Sequence, residues 1–357
     1  MSQGERDAAD GDLSATAAVV GLAGTALSAK ERELFEERQP LGFILFARNC
    51  ESPAQLSALI EDLLSTVAPR QAPILIDQEG GRVRRLKPPH WREMPPLRHI
   101  GELAAQDLEA AIEAAWLHAR LIAAELEPLG ITINCSPVLD LGLPEQTHAI
   151  GYRAFSSDPG NVAKLGKATI EGYLSGGFLP VIKNLPGHGR ATVDSHKDLP
   201  CVQADRSLLA AADWLPFKDN ADAPLGMTAH ILFPELDPTA CATQSKTIID
   251  EVIRGEIGFK GALFSDDLSM EALGGTLGER AARARKAGCD LALHCNGDFD
   301  EMQAVLAASG LLEGPSRSRV EHALAERWAP EPFDMAYGEA RLRSLLDGRE
   351  PLSRAIG

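Results

Sequence analysis

Basic residues are scarce in this chain relative to acidic ones: 35 lysines and arginines stand against 51 aspartates and glutamates, a formal net charge of −16 at pH 7. A surface of that sign repels a phosphate backbone, which argues against nucleic-acid binding. No apolar run approaches the roughly 18 residues of a membrane span, so no membrane association is expected. The opening MSQGERDAADGD lacks the basic and apolar regions of a secretory signal. Six cysteines (Cys50, Cys135, Cys201, Cys241, Cys289 and Cys295) show no CxxC spacing, and with no signal ahead of them free thiols in a reducing compartment are the simplest reading. HExxH, EF-hand, Walker and Rossmann GxGxxG patterns are all missing, so neither a metal nor a cofactor is expected. What remains is ample for a sizeable core: 357 residues, 45% of them hydrophobic and 24% charged. That composition excludes disorder and a disulfide-stapled miniprotein. The expectation is a soluble, cytoplasmic globular protein.

No polar Pro/Gly/Ser linker interrupts the middle of the chain. Instead, short apolar runs alternate with helical patterns: 18–23, 42–47, 73–77, 131–137, 178–184, 224–230, 261–266 and 291–295. Most are apolar throughout, as parallel strands buried on both faces should be. Helical periodicity follows at 54–67, after the cap-and-proline pair Ser52-Pro53, and at 108–130, 161–177 and 278–288. Eight strands alternating with helices predict an α/β protein, a (β/α)8 TIM barrel in a single domain. An open doubly wound sheet is the alternative, and it lacks its glycine fingerprint. The expected organisation is a mobile tail over 1–14, the barrel over 15–310, and a short C-terminal helical extension over 311–357. Two helical patterns there, 317–327 and 336–347, would pack outside the barrel or against a partner.

The connections are lopsided. Helix-to-strand links take only a few residues, whereas the strand-to-helix links 78–97, 138–158 and 184–204 are long. Long loops in a compact domain are usually functional, and in a barrel these all lie on the C-terminal face. Residues at strand ends are therefore the candidates. After the third strand comes Asp77-Gln78-Glu79-Gly80-Gly81-Arg82-Val83-Arg84-Arg85, suited to a hydroxyl-rich or anionic ligand, or equally to an ion-pair cluster sealing the barrel mouth. Arg153, flanked by apolar residues, could be held partly buried, or could simply pair with Asp140 or Asp158. The fifth strand carries Lys183, where an unpaired ammonium would be costly, followed by the glycine-rich loop to His196. Asp194 could fix one ring nitrogen of His196 and leave the other for proton transfer. In Phe264-Ser265-Asp266-Asp267, alternation along a strand predicts one aspartate toward the axis and one toward the helices. An axial carboxylate would serve as nucleophile or electrostatic stabiliser. Convergence of His188, His196, His230 and His294 on a metal is a further possibility, but no HxH ends the first strand.

Five segments taken together, KNLPGHGRATVDSH (183–196), LIDQEGGRVRRL (75–86), SPVLDL (136–141), IGYRAF (150–155) and LFSDDLSM (263–270), resemble glycoside hydrolase family 3. The likeness is greatest to its single-domain bacterial β-N-acetylglucosaminidases (β-hexosaminidases) of peptidoglycan recycling, and it covers roughly 15–310. It implies a retaining hydrolase that removes terminal β-linked N-acetylglucosamine from muropeptides, small-molecule substrates in the cytoplasm. It implies Asp266 as nucleophile, His196 as acid/base with Asp194 as its partner, and Asp77, Arg85, Arg153 and Lys183 as sugar-binding residues. Such a protein would be a monomer or weak homo-oligomer. An imidazole with an ordinary pKa of about 6.5 suits both proton duties, and a neutral base would also tolerate phosphate as acceptor.

One position departs from the family pattern. Histidine usually follows the strand-five lysine, and here it is Asn184, which has a shorter reach and cannot become cationic. The same scaffold would also support an N-acetylglucosaminide phosphorylase or a β-glucosidase, although the second α/β domain of many β-glucosidases is missing from this sequence. A catalytically silent sugar-binding barrel is the alternative of another class, and Asp266, Asp194 and His196 together argue against it.

Overall fold

A computed structural model describes residues 13–144, 149–195 and 198–346. Eight parallel strands close into a barrel in sequence order: β1 Thr16–Val20, β2 Pro40–Leu45, β3 Ile74–Ile76, β4 Ile133–Asn134, β5 Leu179–Leu185, β6 Leu225–Thr228, β7 Ala262–Asp267 and β8 Leu291–His294. Pairing of Ala18, Val19 and Val20 with Ala292, Leu293 and His294 completes the ring. The strands read as unbroken apolar runs because both of their faces are covered. Ala17, Val19, Ile44, Leu75, Val181, Met227 and Phe264 fill the barrel, while Val20, Phe43, Ile76, Ile182 and Leu263 pack under the helices. All eight expected strands are present. β4 is much shorter than the run 131–137, because the Ser136 N–H turns back to the Asn134 carbonyl and Pro137 has no N–H to donate.

The helices are α1 Ala29–Arg38, α2 Pro53–Thr66, α3 Leu97–Ala104, α4 Leu108–Leu126, α5 Pro159–Ser175, α6 Arg206–Ala211, α7 Leu215–Lys218, α8 Leu277–Ala287, α9 Phe299–Ser309, α10 Gly314–Ala325 and α11 Met335–Leu345, with a π-helical segment Ile248–Glu256 between β6 and β7. Local chemistry sets their ends. Ser52 accepts the Gln55 N–H ahead of Pro53 at α2, and Asp158 does the same for Asn161 at α5. α4 runs into one tight turn and stops at Gly130, whose φ of 85° suits glycine. The helix α1 has no apolar stripe to betray it: only Leu34 and Phe35 are buried apolar residues in AKERELFEER, and its start is marked by the reciprocal Ser28–Glu31 capping box.

The chain after α9 closes the end of the barrel opposite the long loops. The Ala17 N–H donates to the Gly310 carbonyl and the Leu312 N–H to the Ala15 carbonyl. Leu312, Val320 and Ala323 then join the side chains filling the barrel interior. α10 is fastened by Asp290 at the start of β8, a fully buried carboxylate. It receives Arg254 Nη2 at 2.9 Å, Arg319 Nη2 at 2.6 Å and Ser316 Oγ at 2.7 Å. α11 packs on α4, with Arg341 Nε 2.7 Å from Glu113. Among the described residues, no helix is long and apolar enough to cross a membrane.

Candidate active site

At the C-terminal ends of the strands lies a cavity of about 400 Å³, the size of a small-ligand site. Its floor is an ion-pair cluster supplied by three different strand ends. Lys183 on β5 donates Nζ to Asp77 at 2.8 Å and lies 2.7 Å from Glu79 Oε1. Arg153, in the short turn Gly151–Arg153, holds Glu79 with both Nε and Nη2 at 2.8 Å. Arg85 donates to the other oxygen of Asp77 at 3.0 Å and stacks over the Phe46 ring at 4.6 Å. Gln78, between the two carboxylates, faces the other way: its Oε1 accepts the N–H groups of Arg85 and Leu86 and so folds the loop back on itself.

The electrostatics follow from this arrangement. Burial alone would raise the Asp77 carboxyl, but Lys183 and Arg85 outweigh it and hold the group well below the ordinary carboxylate range. Glu79 is likewise lowered, Arg153 and Lys183 overcoming its burial. Burial works against the Lys183 ammonium too, and Asp77 with Glu79 raises it above the usual lysine value. Three cations thus face two carboxylates, all charged, in a nearly dry floor.

Both Asp266 and Asp267 line the cavity, which corrects the expectation that one of them faces the helices. The strand is irregular there: the β7–β8 register shifts between Phe264 and Asp267, so simple alternation fails. The two carboxylates nonetheless differ. Asp267 is committed to the loop after β7 and to the end of β8, accepting the Ser269 N–H at 3.0 Å, the Ser269 hydroxyl at 2.7 Å and the Cys295 N–H at 3.1 Å. Asp266 accepts the Asp267 N–H on Oδ1 at 2.8 Å, and among the described residues its Oδ2 accepts no hydrogen bond. An uncommitted carboxylate oxygen at the mouth of the cavity can attack an electrophilic carbon or stabilise a developing cation.

Of the residues singled out from the sequence, Asp77, Arg85, Arg153, Lys183, Asn184, Asp194 and Asp266 all line this one cavity. His196 lies outside the described residues, as does any contact it makes with Asp194. Arg153 pairs with Glu79 rather than with Asp140 or Asp158; Asp158 instead caps α5. Glu79, which pairs with both Arg153 and Lys183, is the member of this cluster that the sequence does not single out. The signal was available, since residues two apart on an extended chain point the same way. Asp140 is buried at 1% exposure and accepts from Asn184 Nδ2 and from the His188 N–H, both at 2.6 Å. Burial raises its carboxyl pKa. His188 also lines the cavity, 3.4 Å from Ser195 Oγ, and burial lowers its pKa. The Nε2 of His230 donates to the Asp267 carbonyl at 2.9 Å and its Nδ1 is bonded to Thr243 at 2.8 Å, so both of its nitrogens are engaged. Among the described residues, no group of three or more His, Cys, Asp or Glu side chains is placed to hold a metal ion.

A closed (β/α)8 barrel with a polar, ion-paired cavity and a free carboxylate at its C-terminal mouth is built as a barrel enzyme. Comparison with known proteins makes the class specific. The family model "Glycosyl hydrolase family 3 N terminal domain" matches residues 11–325. The chain is 36% identical over 310 residues to a beta-hexosaminidase of Nitrosomonas eutropha (strain DSM 101675 / C91 / Nm57), covering 85% of this chain and 87% of that protein. Among solved structures, NagZ from Neisseria gonorrhoeae in complex with N-trifluoroacetyl-D-glucosamine superposes with a TM-score of 0.78 at 29% identity, over 94% of this chain and 99% of that one. A glycoside hydrolase family 3 beta-N-acetylglucosaminidase from Paenibacillus sp. str. FPU-7 gives 0.77 at 30% identity over 95% of this chain, which spans 64% of that longer protein. The chain belongs to glycosyl hydrolase family 3 and is a glycoside hydrolase.

Proposed function

We propose that the protein is a retaining exo-β-N-acetylglucosaminidase that hydrolyses terminal β-linked N-acetylglucosamine from cytoplasmic muropeptides in peptidoglycan recycling. The observation that carries this reading is the uncommitted Oδ2 of Asp266 in the same cavity as Asp77, Lys183, Arg153 and Arg85. Its support from relatives is the beta-hexosaminidase name of the Nitrosomonas protein and the N-acylglucosamine bound by the Neisseria one.

In the first step, Asp266 Oδ2 forms a bond to the anomeric carbon while the bond from that carbon to the leaving oxygen breaks. Protonated His196 gives its proton to that oxygen, with Asp194 as the carboxylate partner of the imidazole. In the second step, neutral His196 takes a proton from water, the water oxygen bonds to the anomeric carbon, and the Asp266 ester breaks. Two displacements retain the anomeric configuration. The ion-paired floor binds the sugar hydroxyls through oxygens and N–H groups whose positions are already fixed, so little reorganisation accompanies the charge developing on the ring.

The test is release of p-nitrophenol from p-nitrophenyl N-acetyl-β-glucosaminide, with EDTA present, by wild type and Asp266→Ala. Turnover that falls by at least about a thousandfold in the variant is expected. Azide should restore part of the activity to the variant and give a glycosyl azide of inverted configuration. A variant that keeps its activity means another group is the nucleophile; a silent wild type means the N-acetylglucosaminidase reading is wrong.

A further inference from the structure

Asn184 occupies an unusual electrostatic position. Its side chain lines the cavity but is only 5% exposed, and it faces a carboxylate on its other side. The Nδ2 group donates to Asp140 Oδ2 at 2.6 Å, while Oδ1 accepts no hydrogen bond among the described residues. Asp140 is itself held in place: the His188 backbone N–H, which cannot turn around, donates to Oδ1 at 2.6 Å. A side-chain amide can ordinarily flip, exchanging donor for acceptor with hardly any change of shape. Here it cannot do so without placing a carbonyl oxygen against a buried carboxylate oxygen, two acceptors with no proton between them.

We propose that Asn184 determines specificity by presenting its side-chain carbonyl oxygen to a hydroxyl of the bound sugar that must donate a hydrogen bond, and that Asp140 is the positioning residue imposing this orientation. The inference rests on the glycosidase reading above and adds the polarity of one sugar contact to it. Acceptors are not scarce in this cavity, since the Asp77, Asp266 and Asp267 carboxylates also line it; what sets Asn184 apart is that its acceptor is uncharged and its orientation is fixed by a second residue.

Fluorine supplies the test. A deoxyfluoro sugar cannot donate at the substituted carbon but can weakly accept, whereas a deoxy sugar can do neither. Inhibition constants would be measured for N-acetylglucosamine and for its deoxy and deoxyfluoro analogues at C3, C4 and C6. The proteins compared would be wild type, Asn184→Ala and Asp140→Asn. For wild type we expect one ring position at which both analogues bind equally poorly, about three- to tenfold weaker than the parent, the worth of one neutral hydrogen bond. That penalty should vanish in Asn184→Ala. In Asp140→Asn the new amide can donate to the Asn184 oxygen, so the Asn184 amide turns and the fluoro analogue should outbind the deoxy one. A fluoro analogue that binds wild type as well as the parent overturns the inference, because the site would then be donating. So does a penalty that persists in Asn184→Ala, which alone decides the matter if Asp140→Asn does not fold. Turnover of the parent glycoside by wild type tests the glycosidase reading separately. Turnover together with a donating pattern overturns this inference alone, whereas a wild type that neither binds nor turns over the parent overturns both.

Discussion

Replacing Glu79 with glutamine removes one negative charge from the cavity floor while keeping its shape. Glu79 is 1% exposed and receives two N–H groups of Arg153 at 2.8 Å and the Lys183 ammonium at 2.7 Å. Glutamine keeps one acceptor oxygen but turns an NH2 group toward a guanidinium or an ammonium, donor against donor. Three cations would then face a single carboxylate, Asp77, in a site with little water. Breaking a buried pair by removing one partner costs about 3–5 kcal/mol. With an unfolding entropy of about 2.1 cal/mol/K per residue, a chain of this length has about 0.75 kcal/mol/K in all, so Tm should fall by roughly 4–7 °C. Differential scanning calorimetry reads that shift, and KM for the p-nitrophenyl glycoside should rise because Lys183 and Arg153 lose the group that orients them. The double variant Glu79→Gln/Lys183→Met should be less destabilised than the sum of its singles, since it removes the stranded ammonium along with its partner. A Tm within about 1 °C of wild type together with an unchanged KM would refute the reasoning, for it would mean that the floor is solvated and its charges are uncoupled.

Three further outcomes follow from the same physics. Asp290→Ala should lower stability by about 3–5 kcal/mol and expose the chain ahead of α10 to limited proteolysis, because Arg254 and Arg319 both lose a fully buried counterion; unchanged cleavage would show that α10 is held by its apolar contacts alone. Asp267→Asn should cost less than about tenfold in kcat/KM, since an amide can still accept from the Ser269 and Cys295 N–H groups, whereas Asp266→Asn should abolish hydrolysis; equal losses would contradict the distinction drawn between the two carboxylates. The third concerns pH: burial lowers His118 to about 4, where an unfolded histidine has about 6.5. The unfolded chain therefore binds more protons between those values, so the contribution is fully present above pH 6.5 and is lost, by about 3 kcal/mol, as pH falls to about 4. Below that, protonation of Asp77 and Glu79, both held under the ordinary carboxylate range, removes more. Urea melts across pH 7 to 4 should show this slope, and His118→Gln should flatten its upper part; an unflattened curve would place the acid sensitivity elsewhere.

Much of the fold was legible because burial on both faces leaves a strong mark. Runs such as GFILFA and PILID have no alternation to interpret, and eight of them separated by helical patterns leave few architectures open. Helix ends were legible where a local group decides them, as at Ser52-Pro53 and at Gly130. α1 went unnoticed because it buries so few apolar residues. β4 was overextended because a cluster of apolar residues does not reveal whether its N–H groups reach a neighbouring strand.

The site divides along the same line. Charge at the end of a buried strand is costly and stands out, as at Lys183, and the family likeness picked out Asp77, Arg85, Arg153, Asp194 and Asp266, with Asn184 as its one departure. Which charges meet was not written there. Arg153 and Glu79 are 74 residues apart, and no local pattern distinguishes Glu79 from Asp140 or Asp158 as the partner. Nor could alternation tell that a register shift in β7 turns two neighbouring aspartates into one cavity, or that the end of β8 occupies one of them and leaves an oxygen of the other uncommitted. The sequence by itself determined the barrel and the list of polar residues at its mouth, since periodicity and the cost of burying charge are local in origin. Only the tertiary structure decided the pairing of those residues, because a hydrogen bond depends on positions to within a fraction of an ångström, set by strands that are distant in the chain.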